Sequence, residues 1–472
     1  MHKCLKIDGL SPAEAAQRLV QAGITQLRLV WCDVHGRHHG KTFVPQAFEA
    51  ALADGFRMAG TLMLKDSSGR TALPVFDAQA MRDLGEMAPF AQASDVALLP
   101  DWTTLQRLPW DTNIARMRCA PLGVVAQSIE PRRVLKTAVE RLKTHGFTAQ
   151  IGLELEFHVY AKAVSHTHAA EAAWPCPAPK NLNLLHPGYQ LLSERHADAC
   201  QQVFTVLQNL CDGFGLPLVS LEIEMGPSQF EAVFAPQTAL AAADAMALFR
   251  EAAIQALARI GLHTSFACRM PFANAMSSGW HLHQSLLDGA GDNAFACESP
   301  ALMSPTGMAY LAGLLHHTQA LCAVAVPSAN GYERFKPNQL APSSINWGAD
   351  SRSALLRVAG IGQAIRIENR LAEPSANPYL CIASQLMAGL DGVVQRLDAQ
   401  APNTSNGSLP PNLAAALQAF EASAFMKTTV GSNLHELWVS LQNQSLSRHK
   451  QAAQLSDEAA LQWCADEYFA QI

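Results

Sequence analysis

The sequence has no Cys-x-x-Cys pair and no cysteine–histidine spacing typical of a zinc site, although its 472 residues include 11 cysteines. Cysteines scattered in this way predict reduced thiols, because disulfide frameworks belong mainly to oxidising compartments. The opening residues lack the apolar segment of a secretory signal. These absences lead us to expect a cytoplasmic protein.

An excess of basic residues is also missing. The chain has 34 Lys and Arg against 40 Asp and Glu, which gives a net charge of −6 and argues against a nucleic-acid partner. Charged residues make up only 16% of the chain and hydrophobic residues 49%, so a large core is expected. A small anionic substrate is not excluded, because a few arginines can dominate a site.

No long hydrophobic run is uninterrupted. Residues 300–330 contain no Asp, Glu, Lys or Arg, but Pro305 and the polar run 316–319 interrupt them. A membrane span needs about 20 consecutive apolar residues. The segment therefore predicts a buried helix, and no membrane association is expected.

The length favours two or three domains of roughly 100–200 residues each. Ser11 and Pro12 predict the start of a first helix. The next segment alternates as a strand, turns at Gly36 and returns as a second strand. A further strand and amphipathic helix follow, so we expect one domain over 1–115 and a second over 116–472.

The first chemical signal is the stretch GLELEFHVY, residues 152–160. Alternate residues are apolar, which predicts a half-buried strand. The other face carries Glu154 and Glu156, two carboxylates that repel each other unless a cation compensates them.

Three further segments alternate in the same way, each with one polar face: SLEIEMGPSQFEAVF, SSGWHLHQSLL and AIRIENRLAE. If these strands share a sheet or a barrel wall, six acids and histidines can converge: Glu154, Glu156, Glu224, Glu231, His281 and Glu368. Such an oxygen-rich set with one imidazole suits Mg²⁺ or Mn²⁺. Nearby arginines (Arg357, Arg366, Arg370) attract phosphate, and metals beside arginines suit phosphoryl transfer. Each segment alone also fits a solvated strand face or a salt-bridge ladder.

Taken in order, these segments resemble the glutamine synthetase family. The matching stretches are GLELEF, EMGPSQFE, SGWHLHQSL, NGYERFKPNQLAP, SRSALLRV and RIENRLAEPSANPYLCIASQLMAGLDG, with RLVWCDVHGR near the N-terminus. The resemblance implies an α+β fold, with an N-terminal β-grasp domain and an α/β catalytic domain built on an incomplete antiparallel β-barrel. It also implies a homo-oligomer, a dodecamer of two stacked hexameric rings with active sites between subunits.

The reaction implied by the resemblance is ATP-dependent. The γ-carboxylate of L-glutamate becomes γ-glutamyl phosphate, and an amine then displaces phosphate. Two or three Mg²⁺ or Mn²⁺ ions would assist each site.

The resemblance also implies roles for individual residues. One metal set is Glu156, Glu224 and Glu231, and the other is Glu154, His281 and Glu368. Nucleotide and phosphate contacts are His283, Ser285, Arg352, Arg357 and Arg366. Substrate contacts are Arg334 and Arg370, which would hold glutamate and the phosphoryl group transferred to it. Ser278 and Gly279 belong to the substrate-binding loop. Asp33 matches an aspartate that one subunit contributes to the amine site of its neighbour. Tyr189 matches an active-site tyrosine less closely.

The sequence departs from the family at Leu340, where ammonia-using members have a glutamate. A leucine can neither bind ammonium nor accept its proton. We therefore expect an aromatic or bulky apolar amine, as in the γ-glutamylanilide synthase branch, with Phe335, Trp347 or Trp280 near Leu340. Polyamines or alkylamines such as putrescine or isopropylamine remain alternatives, as does glutamine synthesis proper.

Two other readings remain open. A catalytically inactive, regulatory relative would be expected to lose metal ligands or phosphate arginines, and the candidates are all present. A two-metal phosphohydrolase fits the carboxylates alone, but it does not account for the ordered series of matching segments.

Overall fold

The structure is a computed structural model that describes residues 5–163, 172–272, 274–298, 301–336, 340–469 and 471. Two sheets organise these residues, one N-terminal and one central. The helices pack mainly around the central sheet.

The N-terminal sheet has six strands in the order β2-β1-β6-β4-β3, with β5 added beside β6. Its strands are β1 (Gln26–Cys32), β2 (His38–Phe43), β3 (Phe56–Ala59), β4 (Asp95–Pro100), β5 (Gln106–Leu108) and β6 (Asp111–Pro121). The expected hairpin is present as the antiparallel pair β1–β2, and β1 runs parallel to β6. The expected domain division after residue 115 falls inside β6, and it stays a prediction.

The central sheet has nine strands in the order β13-β14-β15-β12-β7-β10-β9, with β8 and β11 also paired to β7. Its strands are β7 (Thr148–Lys162), β8 (Leu182–Leu184), β9 (Leu218–Ile223), β10 (Gln229–Thr238), β11 (Leu262–Ser265), β12 (Trp280–Leu287), β13 (Trp347–Ala349), β14 (Leu356–Ala359) and β15 (Arg366–Ala372). Only the pair β13–β14 is parallel among the registered pairs of this sheet. The four polar-faced segments all contribute to this one sheet.

The helices begin and end as follows: α1 (Pro12–Gln21), α2 (Phe48–Asp54), α3 (Ala78–Asp83), α4 (Val124–Ser128), α5 (Pro131–Thr144), α6 (Glu194–Ala199), α7 (Gln201–Phe214), α8 (Ala239–Ala258), α9 (Pro305–Ala325), α10 (Pro378–Gln395), α11 (Leu413–Glu421), α12 (Ala424–Val430), α13 (Ser432–Leu455) and α14 (Asp457–Cys464). The first helix has the predicted cap, since the Ser11 side chain accepts from the Glu14 backbone N–H. Helix α9 is mostly buried, as expected for the uncharged segment. Within the described residues, no helix combines the length and apolarity that crossing a bilayer requires.

Three central helices are largely apolar and buried: α8, α9 and α10. Small residues allow α9 and α10 to pack closely, because a Cβ at Gly313 would lie 2.1 Å from the Ala388 carbonyl oxygen. Helix α8 touches β7, β10 and β11. The core thus supports one side of the strands and leaves their polar face for the site.

Candidate active site

The polar faces of β7, β10 and β12 are brought together by their pairing. In the antiparallel register, Glu154 lies opposite His281 and Glu156 lies opposite Glu231. Because side chains alternate between the faces of a strand, these groups all lie on the same side of the sheet. The register therefore brings together acids that are distant in sequence.

These side chains line a cavity of about 520 Å³. Of the residues predicted from the sequence, the following line it: Glu154, Glu156, Glu224, Glu231, Gly279, His281, Arg334, Leu340, Arg352 and Arg370. A volume of this size falls within the usual range for small-molecule sites.

Glu154 lies at the centre of the acid cluster, a name we use for Glu154, Glu156, Glu224 and Glu231. Its Oε2 accepts a hydrogen bond from His281 Nδ1 at 3.0 Å, and its Oε1 lies 2.8 Å from His283 Nε2. Burial would raise the pKa of Glu154, but the hydrogen bonds and charges of the two histidines outweigh it and hold that pKa well below its usual range. Glu154 is therefore an ionised carboxylate.

The pKa values of the other three acids in the cluster are shifted in the opposite direction, upward. Burial and the charge of Glu224 raise the pKa of Glu156 to about 8. Burial and the charges of Glu156 and Glu154 raise the pKa of Glu231 to about 10, and burial also raises the pKa of Glu224. Carboxyl groups this close cannot all ionise without a compensating cation.

The donor set fits divalent metal ions. Among the described residues, two groups each offer three ligand atoms that lie within 4.8 Å of one another: Glu154, Glu231 and His281, and Glu154, His283 and Glu368. Burial lowers the pKa of His281. With Nδ1 donating to Glu154, its Nε2 lies 3.9 Å from Glu156 Oε1. A histidine oriented in this way by a carboxylate is the arrangement that metal sites use.

This grouping differs from the two predicted metal sets. The alternation of β12 puts His281 and His283 on the same face, so both flank Glu154. His283, predicted as a nucleotide contact, is thereby also a candidate ligand. It accepts at Nδ1 from Arg366 Nε at 3.1 Å.

Glu368 lies on β15, one strand beyond the histidines. Arg357 Nη1 and Arg370 Nη1 donate to its two oxygens at 2.9 and 2.6 Å. Burial alone would raise the pKa of Glu368, but the histidines and Arg370 lower it. Glu368 therefore connects the predicted metal residues to the predicted phosphate arginines.

Arg334 is held rigidly beside the acids. It is only 3% exposed, and its Nη1 donates to the carbonyls of Arg370, Leu371 and Ala372 at 3.2, 2.7 and 3.1 Å. A Cβ at Gly279 would lie 2.5 Å from Arg334 Nη2, so a larger residue there would displace the guanidinium. By contrast, Arg352 is exposed at the cavity wall.

Other predicted residues do not line the cavity. Ser278 is buried behind Gly279, where its hydroxyl contacts His158 Nδ1 at 3.2 Å. The Tyr189 hydroxyl donates to the Asn274 carbonyl at 2.7 Å. Ser285 lies on the same face of β12 as the histidines but two residues further along.

Asp33 does not line the cavity of its own chain. It is 1% exposed, and it accepts from the backbone of His35 and Arg37 and from the side chains of Arg37 and His39, all within 3.2 Å. Burial would raise its pKa, but Arg37 and His39 hold the pKa of Asp33 far below its usual range. These contacts fix the β1–β2 turn, and the expected role at a neighbour's site stays a prediction.

The aromatic residues expected near Leu340 do not line the cavity with it. Trp280 is fully buried because it precedes His281 and therefore points to the opposite face of β12. Trp347 is buried and donates to the Gln400 carbonyl, while the Phe335 ring lies over Arg334 at 5.5 Å. None of the three lines the cavity.

Gln229, Leu191 and Met225 were not among the predicted site residues. Gln229 donates to Glu156 Oε2 at 3.0 Å and to Ser278 Oγ at 3.1 Å, and the other two residues line the cavity. The position of Gln229, two residues before Glu231 on one strand face, was a usable signal. No local pattern marks Leu191.

The sequence model described as "Glutamine synthetase, catalytic domain" matches residues 128–458. The chain belongs to the glutamine synthetase family. The predicted α+β fold and the predicted ATP-dependent ligase are confirmed with it. Members generally use ATP and divalent metals, with glutamate and an amine as substrates.

Two curated relatives are similar over most of their length. A gamma-glutamylanilide synthase of Acinetobacter sp is 32% identical, covering 95% of this chain and 93% of that protein. A gamma-glutamylethanolamide synthetase of Streptomyces coelicolor is 32% identical, covering 89% of each. A solved structure described as a GmaS/ADP complex is 25% identical with a TM-score of 0.73, covering 92% of this chain and 96% of that one.

Proposed function

We propose that this ligase joins the γ-carboxylate of L-glutamate to an amine through γ-glutamyl phosphate. The observation that carries the proposal is the acid cluster with His281, which shares one cavity with Arg334, Arg352 and Arg370. His283 lies beside Glu154 as a further candidate ligand. Acids that hold cations and arginines that hold anions are the two requirements of phosphoryl transfer.

The reaction has two steps. A γ-carboxylate oxygen of glutamate bonds to the terminal phosphorus of ATP as the bond to ADP breaks. The amine nitrogen then bonds to the γ-carbon, the carbon–oxygen bond to phosphate breaks, and the nitrogen loses a proton to solvent. The products are ADP, phosphate and the γ-glutamyl amide.

The acid cluster, His281 and Glu368 would hold two or three Mg²⁺ or Mn²⁺ ions. Bound there, the ions would neutralise charge on the phosphates of ATP. His283 would either be a further ligand of these ions or contact the phosphates of ATP together with Arg366. The raised pKa values of Glu156 and Glu231 mean that these residues would release protons on binding a cation.

The arginines divide between positioning and charge stabilisation. Arg334, fixed by three carbonyls, would orient the glutamate substrate, since a rigid guanidinium loses little entropy on binding a carboxylate. Arg370 and Arg357, already paired to Glu368, would stabilise the transferred phosphoryl group. Arg352 and Arg366, with Ser285, would contact the nucleotide.

For the acceptor we propose an aromatic or bulky apolar amine. Leu340 offers no carboxylate to bind or deprotonate an alkylammonium, and an arylamine is neutral at pH 7 and needs no prior deprotonation. The anilide and ethanolamide named for the two relatives support a substituted amine over ammonia.

The assembly we propose is a dodecamer of two stacked hexameric rings. In this arrangement the β1–β2 turn with Asp33 would lie near a neighbour's site. The hydrogen bonds of Asp33 indicate that it would shape that turn rather than accept a proton from the amine.

An amine panel tests the proposal. Glutamate-dependent ADP release with Mg²⁺ or Mn²⁺ is measured with aniline, isopropylamine, putrescine and ammonium, and the γ-glutamyl amide is identified by mass spectrometry. We expect aniline to be the best acceptor of the four. No ADP release with any amine would refute the ligase proposal and favour an inactive relative, whereas a preference for ammonium would refute only the acceptor.

A further inference from the structure

The cavity has an apolar part that the reaction described so far does not use. Leu191, Met225 and Met276 line it together with Leu340. We call these four residues the apolar wall. Leu191 is 50% exposed and Leu340 is 66% exposed, so both present apolar surface that the chain itself does not cover.

The wall is built from separate loops that are tied together. The Tyr189 backbone N–H donates to the Met225 carbonyl at 2.6 Å, and the Tyr189 hydroxyl donates to Asn274, two residues before Met276. A Cβ at Gly226 would lie 2.9 Å from Met276 Cβ, so the loops of Met225 and Met276 are in contact there. These contacts join the loops of Leu191, Met225 and Met276, and Leu340 lines the same cavity from a fourth segment.

The wall begins directly beside the acids. Met225 follows Glu224, and its backbone N–H donates to Glu224 Oε2 at 3.1 Å. An amine could therefore direct its nitrogen toward the reacting groups and its substituent toward the wall. Glutamate carries charge at both ends, so it does not match an apolar surface.

Methionine makes the wall suited to flat substituents. Its unbranched thioether adapts to irregular shapes and makes favourable contacts with aromatic rings. We propose that Met225, Met276 and Leu191, with Leu340, receive the apolar substituent of the amine and set acceptor selectivity. This inference rests on the proposed function. The substrate class is then primary amines with an aryl or branched apolar group.

The test compares single variants with a matched neighbour. Leu191→Asn and Met276→Asn each place an amide in the wall, whereas Leu192→Asn changes an adjacent leucine that is 62% exposed and does not line the cavity. For each variant, kcat/KM is measured with aniline and with hydroxylamine, a small acceptor without an apolar substituent, and KM is measured for glutamate and ATP.

We expect kcat/KM for aniline to fall about 10-fold or more in Leu191→Asn and Met276→Asn, with little change for hydroxylamine, glutamate or ATP. Leu192→Asn should resemble the wild type. An equal fall for both acceptors, or a raised KM for glutamate or ATP, would overturn the proposal. A wild type that releases no ADP with either acceptor would overturn the proposed function and this inference with it.

Discussion

Gln229 determines how the acids present their oxygens. It is 1% exposed, and its amide nitrogen donates to Glu156 Oε2, Ser277 O and Ser278 Oγ. Its amide oxygen accepts from the Gly226 backbone at 2.8 Å. One neutral side chain thus fixes Glu156 and the turns on both sides of it.

Replacing Gln229 by leucine is predicted to weaken Mn²⁺ binding about 10- to 100-fold, the usual loss when a residue that orients a metal ligand is removed. Binding is measured by titration calorimetry. Gln237→Leu, on the same strand but at its other end, is the matched control. Equal Mn²⁺ affinity in the Gln229→Leu and Gln237→Leu variants would show that Gln229 does not orient Glu156.

Leu340 is the residue at which acceptor choice is most directly testable. We predict that Leu340→Glu lowers the ratio of aniline to ammonium kcat/KM at least about 10-fold, because a carboxylate there can bind ammonium and take its proton. Leu340→Ala removes apolar contact without adding charge, and should lower the aniline rate alone. An unchanged ratio in Leu340→Glu would show that this position does not discriminate between amines.

At the scale of elements, β7 organises the central sheet. It pairs with β8, β10, β11 and β12. A shift of one residue in any pairing would turn the polar face of that strand into the core. The apolar alternate residues therefore enforce the register that brings the acids together.

Strand β11, which pairs with β7, contacts the C-terminal segment through His263. The His263 ring packs edge-on against Phe469 at 4.8 Å. Burial, aided by the charge of Lys162, lowers its pKa from 6.5 to about 4. The unfolded chain thus binds a proton near pH 6.5 and the folded chain only near pH 4, so acidification across this window favours unfolding.

We predict that His263→Gln reduces the loss of stability between pH 7 and pH 5 by about 2 kcal/mol. Denaturant unfolding of wild type and variant at both pH values measures this difference. His145→Gln, at an exposed position, should leave the pH dependence unchanged. If His263→Gln shows the same acid-induced loss as the wild type, the ring does not stay neutral in the folded chain.

At the scale of the molecule, Arg250 fixes the turn between β1 and β2 to the segment that follows β15. This residue of α8 is 5% exposed. It donates to the carbonyls of Pro374, Ala376 and Gly36 at 2.7, 3.0 and 3.2 Å. Asn377 donates to the carbonyls of Asp33 and Val34 in the same turn.

Arg250→Met is predicted to lower the free energy of unfolding by about 3 kcal/mol, since it leaves three buried carbonyls without their charged donor. It should also speed hydrogen exchange in residues 33–37. Arg259→Met, which removes only a contact with the Trp110 ring at 5.5 Å, should cost about 1 kcal/mol or less. Similar losses of unfolding free energy in both variants would show that the Arg250 hydrogen bonds add little to stability.

The sequence by itself determined the strands and the chemistry they carry. Period-two alternation is a local property, so the faces with Glu154, Glu156, His281 and Glu368 could be predicted without a structure. The family motifs and the leucine at position 340 were readable in the same way, because residue identity does not depend on folding.

Only the tertiary structure decided which groups meet. The pairing of His283 with Glu154, the bonds of Gln229 and the apolar wall all join residues far apart in sequence. Trp280 was misplaced because strand alternation, not nearness in sequence to the site, sets the face it occupies. Strand register and loop contacts depend on the packing of the whole core, and no short stretch of sequence contains that information.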